Sequence, residues 1–260
     1  DLPEVNRNAW DLWVFPEVEL ADLAREGIAR LEGMPFADSD RAPDAIEAGY
    51  SRGFGLPVRT WINRLPHPEE LAPSARPWWH GDPIPRVTHL ILTHKLTDHL
   101  IDWMARGGRL LLFCSKTIGG LGAQYEWLFG QVPLILERGP ITSGCSEWMV
   151  DLLGFDLTRT YARVIPVDDL GLREAVDPLA RLCYTHDSLA IRFFDQLFAA
   201  RIGDGAMIAT SLDHHNPVGR YLLRQCIDTL LHHHRALGGG IAPDTLKRHT
   251  VEGRTERGGH

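Results

Sequence analysis

Three side chains have the types and placement for nucleophilic chemistry. Cys114 follows the apolar run Arg109–Phe113, and the adjacent His214 and His215 follow the run Ala206–Leu212. A thiol at the end of a buried strand can attack an amide or ester when an imidazole takes its proton and backbone N–H groups hold the oxyanion. In α/β hydrolytic folds the nucleophile sits on a strained strand-to-helix elbow that wants small neighbours. Here the flanks are Leu112-Phe113 and Ser115-Lys116, with no glycine two residues to either side. A small buried hydrophobe is the favoured reading of Cys114, and a Cys114–His214 thiol hydrolase or amidase is the alternative.

The other candidates carry weaker signals. Gly119-Gly120-Leu121-Gly122 lacks the GxGxxG spacing of a phosphate cradle, and Lys116 precedes the glycines rather than following them, so a flexible loop is expected. His232-His233-His234 lies in a helical stretch, where metal binding wants i, i+4 spacing; a solvated helix end is expected, and no metal. Asp168-Asp169, Glu126, Glu137 and Glu147 offer carboxylates, but no spacing selects a glycosidase pair. Trp61, Trp78, Trp79 and Trp148 could stack on sugar rings, the basis of a sugar-binding reading, or pack in the core. No cofactor is expected.

The elements that must position these groups alternate along the chain. Leu12–Phe15 reads as a strand, and Leu20, Leu23, Ala24, Ile28 and Leu31 form a helical stripe ended by Gly33. About 35–85 is a Pro-rich, irregular insertion with one short strand near Val58–Ile62. Val87–Thr93, a helix over Thr97–Arg106 and Arg109–Cys114 make a βαβ unit, which crosses over right-handed. Ser146–Leu153 reads as a short helix, Arg163–Pro166 as extended and Leu179–Tyr184 as a strand. Phe193–Ile202 and Ala206–Leu212 form a hairpin about Gly203-Asp204-Gly205. Asn216 then caps a final helix with Pro217 at its first position. From Gly238 the chain is glycine-rich and charged without a core pattern, so one α/β domain over 1–237 and a flexible tail over 238–260 are predicted.

At 260 residues, with 44% hydrophobic and 23% charged residues, the chain can bury one generous core. A net charge of −7 argues against nucleic-acid or anionic-membrane partners, and no apolar run is long enough to span a bilayer. The four cysteines show no CxxC spacing and read as reduced thiols. The opening DLPEVNRNAW, without Met or a leader pattern, favours a piece of a longer polypeptide.

Four segments together resemble a known family: NAWDLWVFP, THLILTHKLTDHLIDWMARGGRLLLFCS, SEWMVDLL with VIPVDDL, and ARIGDGAMIATSLDHHNPVGRYLLRQCIDTLL. They are similar to a C-terminal region of family-2-type glycoside hydrolases of the β-galactosidase or β-glucuronidase kind, which carries a flavodoxin-like domain related to class I glutamine amidotransferases. The resemblance covers most of residues 8–235 through loose hydrophobic and glycine patterns. It implies a flavodoxin-like α/β fold, mostly parallel, with helices on both faces and a C-terminal β-hairpin plus helix. It also places Cys114 where amidotransferases carry their nucleophile and SLDHHNP where their histidine motif falls. Lys116 stands in place of the elbow glycine, and no Glu follows His214 or His215 at triad spacing. What it implies is a fold kept after its chemistry was lost: a non-catalytic accessory domain of a carbohydrate-degrading hydrolase. Its expected partners are the parent enzyme's other domains, with a homo-oligomer and carbohydrate as further possibilities.

Overall fold

The computed structural model describes residues 27–31, 72, 74–78, 82–114, 121, 124–127, 134–137, 139–143, 161–184, 191–212, 214 and 217–250. Ten strands are described: β1 Ile28–Leu31, β2 Arg76–Trp78, β3 Leu90–Thr93, β4 Arg109–Phe113, β5 Gln124–Trp127, β6 Leu134–Leu136, β7 Tyr161–Val164, β8 Asp177–Tyr184, β9 Arg192–Ile202 and β10 Gly205–Thr210. The helices are α1 Asp98–Ala105, α2 Pro217–Asp228 and α3 Pro243–Lys247.

Eight strands make one mixed sheet in the order β2-β1-β3-β4-β10-β9-β8-β6, and β5 and β7 form a separate antiparallel ribbon. The pairings from β2 through β4 to β10 are parallel, and those from β10 through β9 and β8 to β6 are antiparallel. The molecule is therefore α/β, and β10 is where the two halves of the sheet meet.

Strands β3 and β4 are unbroken apolar runs because both their faces are covered. Leu92, Leu111, Phe113 and Ile208 point into one core layer with Leu222, Leu223 and Ile227 of α2. Ile91, Leu110, Leu112 and Met207 point into the other, with Leu100, Ile101 and Met104 of α1 and Leu246 of α3. Full burial of one such side chain stabilises the fold by about 1.5–3 kcal/mol.

Local chemistry sets where α1 starts and stops. Thr97, with extended backbone, accepts the Leu100 N–H through its hydroxyl at 3.3 Å. At the other end Gly107 takes φ +102; its N–H reaches Met104 O and that of Gly108 reaches Trp103 O, a Schellman closure. The β9–β10 turn docks on this helix end: Gly203 has φ +60, and Asp204 N–H donates to Ala105 O at 3.2 Å. A Cβ on Gly205 would lie 2.0 Å from Gly108 O, so only glycine lets the turn approach.

At eleven residues, β9 is longer than either neighbour, and its uncovered edges are filled at both ends. Beyond the end of β10, Ile165 exchanges two backbone hydrogen bonds with Asp195. Beyond the end of β8, Gly239 O and Ile241 N take up the backbone groups of Arg201. Both additions satisfy polar groups that would otherwise be buried unpaired.

Two segments depart from the sequence expectation. The predicted helix over Leu20–Leu31 ends as a strand. Gly27 at φ +73 breaks any helix there, and Ile28–Leu31 pairs with both β2 and β3. Pairing to two neighbours outweighs a stripe that also fits helical spacing. The predicted flexible tail is also not one as far as Thr250: Ile241 and Leu246 are buried, and Thr250 Oγ1 donates to Asp98 Oδ1 at 2.9 Å. Lys247 also pairs with Asp102 at 2.7 Å. Apolar residues spaced too widely to show a periodicity were enough to anchor it. The expected strands Leu12–Phe15 and Val58–Ile62 and the helix Ser146–Leu153 lie outside the described residues, whereas β2 runs inside the Pro-rich region.

Candidate functional site at the strand ends

Open α/β sheets bind ligands beyond the carboxyl ends of their parallel strands. Here those ends carry His94 after β3, Cys114 after β4, and Thr210 and His214 at and after β10. All four are buried.

Strand alternation decides which of them can meet. Phe113 belongs to the core layer under α2, and Cys114, the next residue, belongs to the layer under α1. The Cys114 N–H donates to Thr210 O at 2.7 Å, continuing the β4–β10 ladder by one residue. Its thiol is closed off, and burial pushes its pKa far up, with only partial opposition from the Thr210 backbone hydrogen bond. Burial of this kind disfavours the thiolate, the form in which a cysteine acts as a nucleophile.

His214 lies on the α2 side. Its ring meets Phe113 edge-on at 5.9 Å between centroids. Nδ1 donates to Gly219 O at 2.7 Å, and Nε2 is hydrogen-bonded with Thr210 Oγ1 at 2.9 Å. Thr210 Oγ1 in turn accepts the Leu212 N–H at 3.2 Å. The imidazole thus ties the end of β10 to the first turn of α2, with both ring nitrogens engaged. The structure does not bring Cys114 and His214 together as a nucleophile–base pair. His215, Ser115, Lys116, Gly119, Gly120 and Gly122 lie outside the described residues, and Leu121 is buried.

The carboxylates fall elsewhere. Asp168 Oδ2 accepts the Phe193 N–H at 3.0 Å, and Asp169 pairs with Arg192 at 3.1 Å. Asp195, which the sequence reading did not single out, is fully buried and held by Arg181 through Nε at 2.6 Å and Nη2 at 2.9 Å. Burial raises the Asp195 carboxyl above its ordinary value, and the Arg181 guanidinium works against that rise. Arg181 and Asp195 are direct cross-strand partners, next to a register shift in the β8–β9 ladder. Arg173 lies 4.0 Å over the Phe193 ring. Glu137 is exposed; Glu147 and the side chain of Glu126 lie outside the described residues. The arrangement is an arginine–carboxylate brace rather than two free carboxyls flanking a cleft.

Among the tryptophans, Trp78 is a core residue of β2, with Nε1 donating to Asp82 O at 3.2 Å. Trp61, Trp79 and Trp148 lie outside the described residues. Among the described residues no group of three His, Cys, Asp or Glu side chains could hold a metal ion. No helix among them is long and apolar enough to cross a membrane. His232-His233-His234 falls where α2 runs on as a π-helical segment, Thr229–His233, and then a 3-10 turn, His234–Ala236.

No family model matches the chain. No curated protein matches it either. Among solved structures it is similar to a β-galactosidase from Bacillus circulans sp. alkalophilus, with a TM-score of 0.38 and 10% identity over 82% of this chain and 31% of that one. It is also similar to the exo-β-1,4-mannosidase Op5Man5 from Opitutaceae bacterium strain TAV5, with a TM-score of 0.30 and 12% identity over 78% of this chain and 33% of that one. The chain spans about a third of the length of each.

Proposed function

We propose that this chain is a non-catalytic accessory domain of a carbohydrate-degrading glycoside hydrolase, supporting the catalytic barrel, subunit association or the substrate entrance. The observation that carries the non-catalytic part is the division at the strand ends. Cys114 is a buried core thiol on one face, where burial disfavours its thiolate, and His214 ties β10 to α2 on the other. The hydrolase association rests on the sequence segments that resemble the C-terminal region of family-2-type enzymes. A flavodoxin-like assignment is supported by the parallel order β2-β1-β3-β4-β10, which follows the 2-1-3-4-5 pattern of that fold.

The test is expression of the complete reading frame that contains this segment, assayed on a panel of aryl glycosides. Glycosidase activity that survives Cys114→Ala is the expected result, with the active carboxylates mapping outside residues 1–260. A reading frame without a glycosidase barrel would sink the accessory-domain reading. Amide or ester hydrolysis abolished by Cys114→Ala would instead establish the thiol hydrolase, and saturable tryptophan quenching by oligosaccharides a sugar-binding module.

A further inference from the structure

Near the end of α2 lie Arg109, His234 and Arg235, whose charges bear on one another. Arg109 opens β4 as the cross-strand partner of Ala206 on β10; the π-helical segment packs on β4 and the turn that follows it on β10. Among the described residues the buried Nε of Arg109 and the buried Nδ1 of His234 meet no hydrogen-bond partner. Arg235 is exposed next to them, as are His232 and His233, whose rings meet edge-on at 6.3 Å. An orphaned guanidinium nitrogen and an orphaned imidazole nitrogen beside the Arg235 charge are costly in a native fold unless something completes them.

We propose that Arg109, His234 and Arg235 form a binding site for a small oxyanion of the phosphate, sulfate or carboxylate class. The guanidinium fork of Arg109 matches two oxygens of such a group. His234 Nδ1 supplies a further donor when it carries a proton.

Binding is therefore linked to a proton. The charges that bear on the His234 ring from the elements around it are Arg109 on β4 and Arg235 on its own turn, and both lower its affinity for a proton in the empty site. The neighbouring carboxylate, Asp177 at the start of β8, is engaged by the Gly238 N–H at 2.6 Å. An oxyanion reverses the sign of the field at His234, so the site takes up a proton with its ligand and tightens as pH falls.

The experiment is an imidazole-resolved NMR titration of the ¹⁵N-histidine-labelled chain with inorganic phosphate, sulfate and acetate in turn, at constant ionic strength. A saturable shift of the His234 ring is expected, stronger near about pH 6 than near about pH 8. Arg109→Gln should weaken it by about tenfold or more, the loss of one charge-assisted pair. Arg235→Gln, at an exposed position, provides a second variant that leaves the core untouched. Saturation by phosphate and sulfate alone would assign a free inorganic or phosphoryl ligand, and saturation by acetate a carboxylate. A linear, unsaturated drift common to all three salts, or the same curve in wild type and both variants, would overturn the proposal.

Discussion

Individual side chains in this fold owe their chemistry to which face of the sheet they enter. Cys114 and Cys226 are fully buried in different layers, and burial raises both thiols far above their ordinary range, whereas Cys183 is only half-buried. Iodoacetamide at neutral pH should therefore modify Cys114 and Cys226 no faster than the native chain unfolds, with Cys183 labelled earlier; peptide mass mapping over time reads the order. Rapid native labelling of Cys114 would contradict the burial described. His234 gives the complementary case of a depressed group. Its folded-state value lies below the ordinary 6.5, so the unfolded chain binds the proton first as pH falls. In chloride alone, this residue's contribution to stability should be intact above about pH 7 and decline as pH drops through 6.5, levelling off below the folded value. Urea unfolding from about pH 8 to about pH 5 should show that decline in the wild type and a flatter profile in His234→Gln.

Among the elements, β9 and its neighbours are held by a brace as well as by the ladder. Arg181→Met leaves Asp195 as an uncompensated buried charge and should cost about 3–5 kcal/mol in chemical denaturation. Adding Asp195→Leu should restore most of that loss, because a well-packed apolar pair commonly matches a buried ion pair. A double variant as unstable as the single would mean that the brace is needed for more than charge balance. The brace was not legible beforehand, since a cross-strand partnership across a register shift depends on pairing that no local pattern encodes. What was legible shares a physical basis. β3, β4 and β10 hold apolar runs bounded by glycine or polar punctuation, β8 and β9 are apolar on either side of Arg181 and Asp195, and α1 carries its own cap in Thr97 and its own stop in Gly107. β1 and β2 are short, and only their neighbours in the sheet make them strands. At the candidate site, the strand-end positions of Cys114 and His214 were readable. Their separation was not, because it turns on a single step of strand alternation.

For the whole molecule, the C-terminal segment acts as part of the core. Residues 238–250 complete one edge of β9 and cover α1, with Ile241 and Leu246 buried. A chain ending at Leu237 should lose about 3–6 kcal/mol, the transfer free energy of those two side chains, seen as a lower thermal midpoint and faster amide exchange in α1. The exposed Lys247–Asp102 pair contributes little to that loss. The position of β10 at the meeting of the two half-sheets has a further consequence, for the chain as it is made. Its parallel partner β4 leaves the ribosome roughly 90 residues ahead of it, a wait of some 5–20 s at ordinary elongation rates. Through that interval Leu110–Phe113 presents an apolar edge with no strand to close it, the state in which nascent sheets aggregate. The emergence of Gly205–Thr210 thus supplies the strand that covers this edge and joins the two half-sheets.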